Sequence, residues 1–160
     1  MNKIWDVKVI AMNAMIAAIY AVLTIAIAPI AYGGMQLRLS EMMIFLAFYN
    51  RKFIPGLVIG CFIANMASPM GMWDIVFGTL ATLLALMSMY KASKLYLGAI
   101  YGSVINGVIV GLELYFALGL PLFINIVYVF VGELIVLLVG AVVFNLLEKN
   151  SSFMKKYIME

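Results

Sequence analysis

Histidine is absent from this 160-residue sequence, cysteine occurs once, and charged side chains make up only 11%. Without histidine there is no His-based metal site, no Ser-His triad and no His proton shuttle. Cys61 has no partner in the chain, which excludes a disulfide scaffold. So little charge cannot cover a water-soluble globule, in which roughly a quarter of residues are charged. No G-x-x-x-x-G-K-[ST] stretch occurs, so the chain does not cradle ATP phosphates itself. What it has in excess is hydrophobic residues, 67% of the total, far too many for a disordered tail. A transmembrane helix takes ~20 apolar residues. The length therefore holds about six spans in a single transmembrane domain, 1–160.

Prolines, glycines and charges divide the chain into six predicted spans, at about 9–28, 40–49, 54–67, 73–90, 97–118 and 122–147. The first apolar run, Val9 to Leu37, is too long for a signal-peptide core and reads as a retained helix followed by a loop over 29–39. Joining the second and third spans would put Arg51 and Lys52 near the bilayer centre, at ~2.5–3.5 kcal/mol each. With both termini cytoplasmic, Lys3, Lys8, Arg51, Lys52, Lys91, Lys94, Lys149, Lys155 and Lys156 all fall inside, and only Arg38 lies outside. This asymmetry obeys the positive-inside rule and accounts for the net charge of +3 without a nucleic-acid partner.

The acids divide differently. Asp6, Glu148 and Glu160 belong to the cytoplasmic tails, whereas Glu41, Asp74, Glu113 and Glu133 fall in helices of the outer half, with Arg38 as the one cation there. Intramembrane carboxyls are unfavourable by at least ~2–3 kcal/mol each and need compensation. In one reading Arg38 pairs with Glu41, the other acids are protonated, and all of them only hold helices together. In the other, they form an acidic cavity, open to the outside, that binds a cationic or donor-rich solute. Asn106 lies seven residues before Glu113 on one helix face, and Asn65 ends the third span. Trp73, Phe77, Tyr115 and Tyr128 follow within a turn or so of these polar groups. Carboxyls, amides and flat rings suit a planar, hydrogen-bonding heterocycle better than a bare ion.

A solute pocket without an engine points to an engine in another subunit. Ala14, Ala17, Ala18 and Ala21 form small-xxx-small patterns in the first span, suited either to docking on such a subunit or to packing within the bundle. Two rivals stand beside a binding subunit. One is a proton-coupled stand-alone carrier with Glu133 as its proton site, although no clear inverted repeat supports it. The other is a structural membrane protein without a ligand.

Several stretches, taken in order, resemble one family. Tyr32-Gly33-Gly34-Met35-Gln36-Leu37-Arg38-Leu39-Ser40-Glu41 resembles the Q-x-R-x-S-E segment of the QueT family, the queuosine-precursor substrate-binding (S) components of energy-coupling factor (ECF) transporters. Pro55-Gly56-Leu57 with Gly60-Cys61-Phe62-Ile63-Ala64-Asn65 is similar to its P-G-L-x-x-G-C-x-x-A-N stretch. Asp74 to Leu83 is similar to its D-x-x-F-G-S-L-A-T-L stretch, with Thr79 in place of the usual serine. Asn106, Val110-Gly111-Leu112-Glu113 and Gly132-Glu133 match polar positions of its last helices, so that the likeness covers about 14–136.

The resemblance implies a six-helix S component in a prokaryotic cell membrane. It would capture a 7-deazaguanine outside, the aminomethyl form ahead of the cyano form or queuine. It would then dock through Ala14 and Ala18 on a transmembrane coupling protein driven by two cytoplasmic ATPases, with ATP used only by those partners and no cofactor of its own. Within that frame Glu133 or Glu113 is expected to take the guanine edge, and the other acid or Asp74 the ammonium. Asn65 and Asn106 are expected to meet the carbonyl and ring nitrogens, Trp73, Phe77 and Tyr128 to stack, and an Arg38–Glu41 pair to order the loop that closes the pocket.

Overall fold

The computed structural model describes residues 6–150, so the charges assigned to Lys3, Lys155, Lys156 and Glu160 lie outside the described residues. Among the described residues there are seven α-helices and no strand: α1 (Val7–Ala26), α2 (Ala28–Ala31), α3 (Phe45–Tyr49), α4 (Ile54–Met66), α5 (Thr79–Lys91), α6 (Leu95–Leu118) and α7 (Leu122–Asn150). Pro29 sits in the first turn of α2, where its missing N–H leaves no bond unmade. The segment expected to be loop throughout therefore begins with a helical turn. Gly119, with φ of 67°, ends α6 in the left-handed conformation that glycine adopts without strain.

Two stretches depart from α geometry. Leu39–Ile44, expected as regular helix, is wound as a 3-10 helix that runs into α3. A 3-10 helix rises about 2.0 Å per residue against 1.5 Å, so this short segment reaches further across the bundle. Asp74–Gly78, which leads into α5, is a π-helical turn. Its cause is Asn65, whose Nδ2 donates to the Asp74 carbonyl at 2.9 Å and to Thr79 Oγ1 at 3.1 Å. A side chain inserted into the ladder forces that extra residue into the turn.

Glycines set the closest helix contacts. A Cβ on Gly60 of α4 would lie 2.9 Å from the Ala17 carbonyl oxygen and 2.8 Å from Tyr20 Cβ on α1. A Cβ on Gly111 of α6 would meet Ile126 Cα of α7 at 2.9 Å. Asn13 of α1 fixes the next connection: it donates to the Lys52 carbonyl and accepts from Gly56 N–H at 2.7 Å.

Polarity runs opposite to that of a soluble protein. Arg38, Glu41, Asn65, Asp74, Glu113 and Glu133 are buried, while Val22, Phe62, Val104, Phe123, Val139 and Leu146 are exposed. Apolar side chains facing outward around buried charge need hydrocarbon as their solvent. Val7–Ala26, Asp74–Lys91, Leu95–Leu118 and Leu122–Lys149 are each long and apolar enough to cross a bilayer. The architecture is that of an all-helical integral membrane protein.

Candidate functional site

The site is built from the segment after α2 inward. Gln36 N–H donates to the Gly33 carbonyl and Arg38 N–H to the Gln36 carbonyl, each at 2.9 Å, which folds the chain sharply at Gln36. Gln36 takes a φ of 48°, the left-handed region, without being glycine. The turn presses on α7, where a Cβ on Gly132 would collide with the Met35 carbonyl oxygen. It delivers Arg38 into the bundle, only 4% exposed. There Arg38 Nη2 donates to Asn65 Oδ1 at 2.6 Å, and the guanidinium lies 5.3 Å from the centre of the Tyr32 ring.

The acids surround this cation. Glu41 Oε1 accepts from Tyr20 Oη and, at 2.9 Å, from Thr82 Oγ1. Glu133 Oε1 accepts from Asn106 Nδ2 at 2.9 Å. Asp74 Oδ2 accepts from Ser68 Oγ. The Glu113 carboxyl faces that of Asp74, yet neither of its oxygens has a partner of hydrogen-bond geometry. Arg38 is within electrostatic range of all four acids. If every one were ionised the cluster would carry a formal excess of three negative charges. An excess of that kind, away from water, is stabilised by protonation or by a cation.

A cavity opens among Gln36, Arg38, Glu41, Asn106, Val110, Val129 and Glu133. Its free space is about 10 Å³, room for one water. Asn106, Val110 and Glu113 share one face of α6, so Glu113 continues the same stripe toward Asp74. Six buried polar atoms here are unpartnered: Gln36 Nε2, Arg38 Nε, Glu41 Oε2, Asp74 Oδ1 and both Glu113 oxygens.

The structure thus brings Arg38, Glu41, Asn106 and Glu133 to one cavity and sets Asp74 and Glu113 beside it. Other expectations need correction. No ion pair joins Arg38 to Glu41 among the described residues: Tyr20 and Thr82 hold Oε1 of Glu41, and Nη2 of Arg38 turns to Asn65. Both amide hydrogens of Asn65 are taken by the Asp74 carbonyl and Thr79, and its oxygen accepts from Arg38. The aromatics are not in the cavity wall. Trp73 is exposed and stacks on Phe77 at 5.5 Å, and Tyr115 and Tyr128 are also exposed. Ala17 and Ala21 are buried, Ala17 against Gly60, so that only Ala14 and Ala18 remain on the free face of α1.

Sequence reading missed Tyr20, Thr82, Ser68 and Gln36 as site residues. The signal for them is a polar or phenolic group inside or beside an apolar run, and Gln36 and Thr82 also lie in the stretches that resemble the family.

Residues 10–149 match the family described as QueT transporter. The chain belongs to the QueT family. QueT is a transporter family and not a family of enzymes. A curated QueT relative, named a queuosine precursor transporter, from Lactococcus lactis subsp. cremoris (strain MG1363), is 41% identical over 88 residues. That stretch covers 53% of this chain and 49% of the relative, so the match spans about half of each. No solved structure matches this QueT chain.

Proposed function

We propose that this QueT-family chain is the substrate-binding component of an ECF-type uptake system. It has six spans and cytoplasmic termini in a prokaryotic cell membrane, and it captures a 7-deazaguanine queuosine precursor, the aminomethyl form first. The observation that carries the proposal is the set of unpartnered buried atoms. Two are donors, Gln36 Nε2 and Arg38 Nε, and four are carboxyl oxygens. An aminomethyl-deazaguanine offers the complement: ring and amino N–H groups and an ammonium for the carboxylates, a carbonyl and a ring nitrogen for the donors. Charge-assisted bonds of this kind are about twice as strong as neutral ones. The cavity holds about one water, less than a bicyclic base fills, so the site widens when the base binds.

Membrane orientation draws support from two ties. Asn13 bonds to Lys52, and Tyr49 donates to Glu148 at 2.9 Å. They gather the start of α1, the Arg51–Lys52 turn and the end of α7 at one end of the bundle, with Lys8, Arg51 and Lys149 exposed there. That end is the cytoplasmic one by the positive-inside rule. The exposed Ala14 and Ala18 lie toward it and offer the coupling protein a smooth approach, and two ATPases complete the system.

The test is a binding titration of the detergent-purified chain against the aminomethyl, cyano and unmodified bases. Saturable binding with the aminomethyl form tightest supports the proposal, and binding of none of them refutes it. The facing carboxyls of Asp74 and Glu113 favour a second reading, a proton-coupled carrier. Uptake into liposomes by the chain alone, under a pH gradient without ATP, would establish that reading instead.

A further inference from the structure

We infer that Gln36 is a specificity-determining residue of this site, reading a carbonyl on the six-membered ring of the ligand and rejecting an amino group in that position. The inference rests on the deazaguanine reading above and assigns one contact within it. Of the two amides expected to meet the carbonyl and ring nitrogens, Asn65 is consumed by Arg38, the Asp74 carbonyl and Thr79. Asn106 donates to Glu133. Of the buried side-chain donors around the cavity, Gln36 Nε2 and Arg38 Nε alone lack an acceptor.

The backbone supports a recognition role. Gln36 is 4% exposed and lines the cavity, yet its φ of 48° is a conformation that glycine or asparagine adopts more readily. The position is over-determined from outside: two main-chain hydrogen bonds close the turn, and Gly132 lets Met35 settle directly on α7. A strained backbone that its surroundings hold in place, carrying a buried, unsatisfied amide on a side chain that lines a cavity, is the pattern of a preorganised contact. An amide N–H requires an acceptor. The carboxyls of Glu41 and Glu133 in the same wall favour Nε2 over Oε1 on that side, so a carbonyl supplies the missing acceptor, whereas an exocyclic amino group would set donor against donor or force the amide to turn its oxygen toward the acids.

The experiment titrates the full chain in detergent with the aminomethyl form of 7-deazaguanine and with its 6-amino counterpart, the 2,6-diamino-7-deazapurine carrying the same aminomethyl group. Wild type, Gln36→Glu and Gln36→Met are compared. Gln36→Glu replaces the donor by an acceptor of the same shape, and Gln36→Met removes it without adding charge. Wild type is expected to prefer the 6-oxo base. The ratio of the two affinities should fall by at least about tenfold in Gln36→Met and further in Gln36→Glu. The ratio is taken within each variant, so a partly unfolded preparation does not distort it. Wild-type binding with an unchanged ratio in both variants would overturn the assignment of Gln36 and leave the deazaguanine reading standing. If wild type bound neither base, that reading would fail and the assignment with it.

Discussion

Each buried polar side chain here can be sorted by whether its partners lie within the chain. Tyr20 and Thr82 hold one oxygen of Glu41, and this is the structural half of the cluster. Tyr20→Phe removes a buried bond without changing shape and should lower the unfolding free energy by about 0.5–2 kcal/mol, read from denaturation in detergent. An unchanged transition would show that the hydroxyl contributes nothing. Gln36 belongs to the other half. Gln36→Gly should raise the unfolding free energy by about 1 kcal/mol, because glycine accepts the positive φ and an unpaired buried amide is lost. The same change should weaken ligand binding. A fall in stability would mean that the turn is unstrained. Glu133→Gln keeps an acceptor for Asn106 but gives up the charge, so binding of the aminomethyl base should weaken by about 1–3 kcal/mol with little change in folding.

Helix faces explain what the sequence could not disclose. The buried acids were legible because a carboxyl in an apolar run has few places to go. The facing of the alanines and aromatics was not, because lipid and protein interior are both apolar and the usual amphipathic signal vanishes. Ala17 and Ala21 are therefore equivalent to Ala14 and Ala18 in sequence, whereas in the fold Gly60 packs against Ala17. Trp73 and Tyr128 sit near the acids along the chain but turn away from the cavity. The π-helical turn at Asp74–Gly78 was equally hidden, since it arises from Asn65 on another helix. These facings make a paired prediction. Ala14→Trp with Ala18→Trp should leave base binding intact and abolish uptake in the assembled system. Ala17→Trp should instead disrupt the bundle, because its neighbour is the α4 backbone at Gly60. Normal uptake by the double variant would remove the docking face from α1.

On the scale of the whole molecule, the membrane setting follows from composition, since so few charges cannot cover a surface in water, and the helical class from apolar runs long enough to span a bilayer as helices. The central claim is narrower: the unpartnered acids beside Arg38 are held in readiness for a ligand. Infrared difference spectroscopy of the purified chain, with and without the aminomethyl base, observes those carboxyls directly. On binding, carboxyl stretching bands should change, and part of that change should vanish in Glu113→Gln and part in Glu133→Gln. Saturable binding that leaves the carboxyl region of the spectrum unaltered would contradict the account.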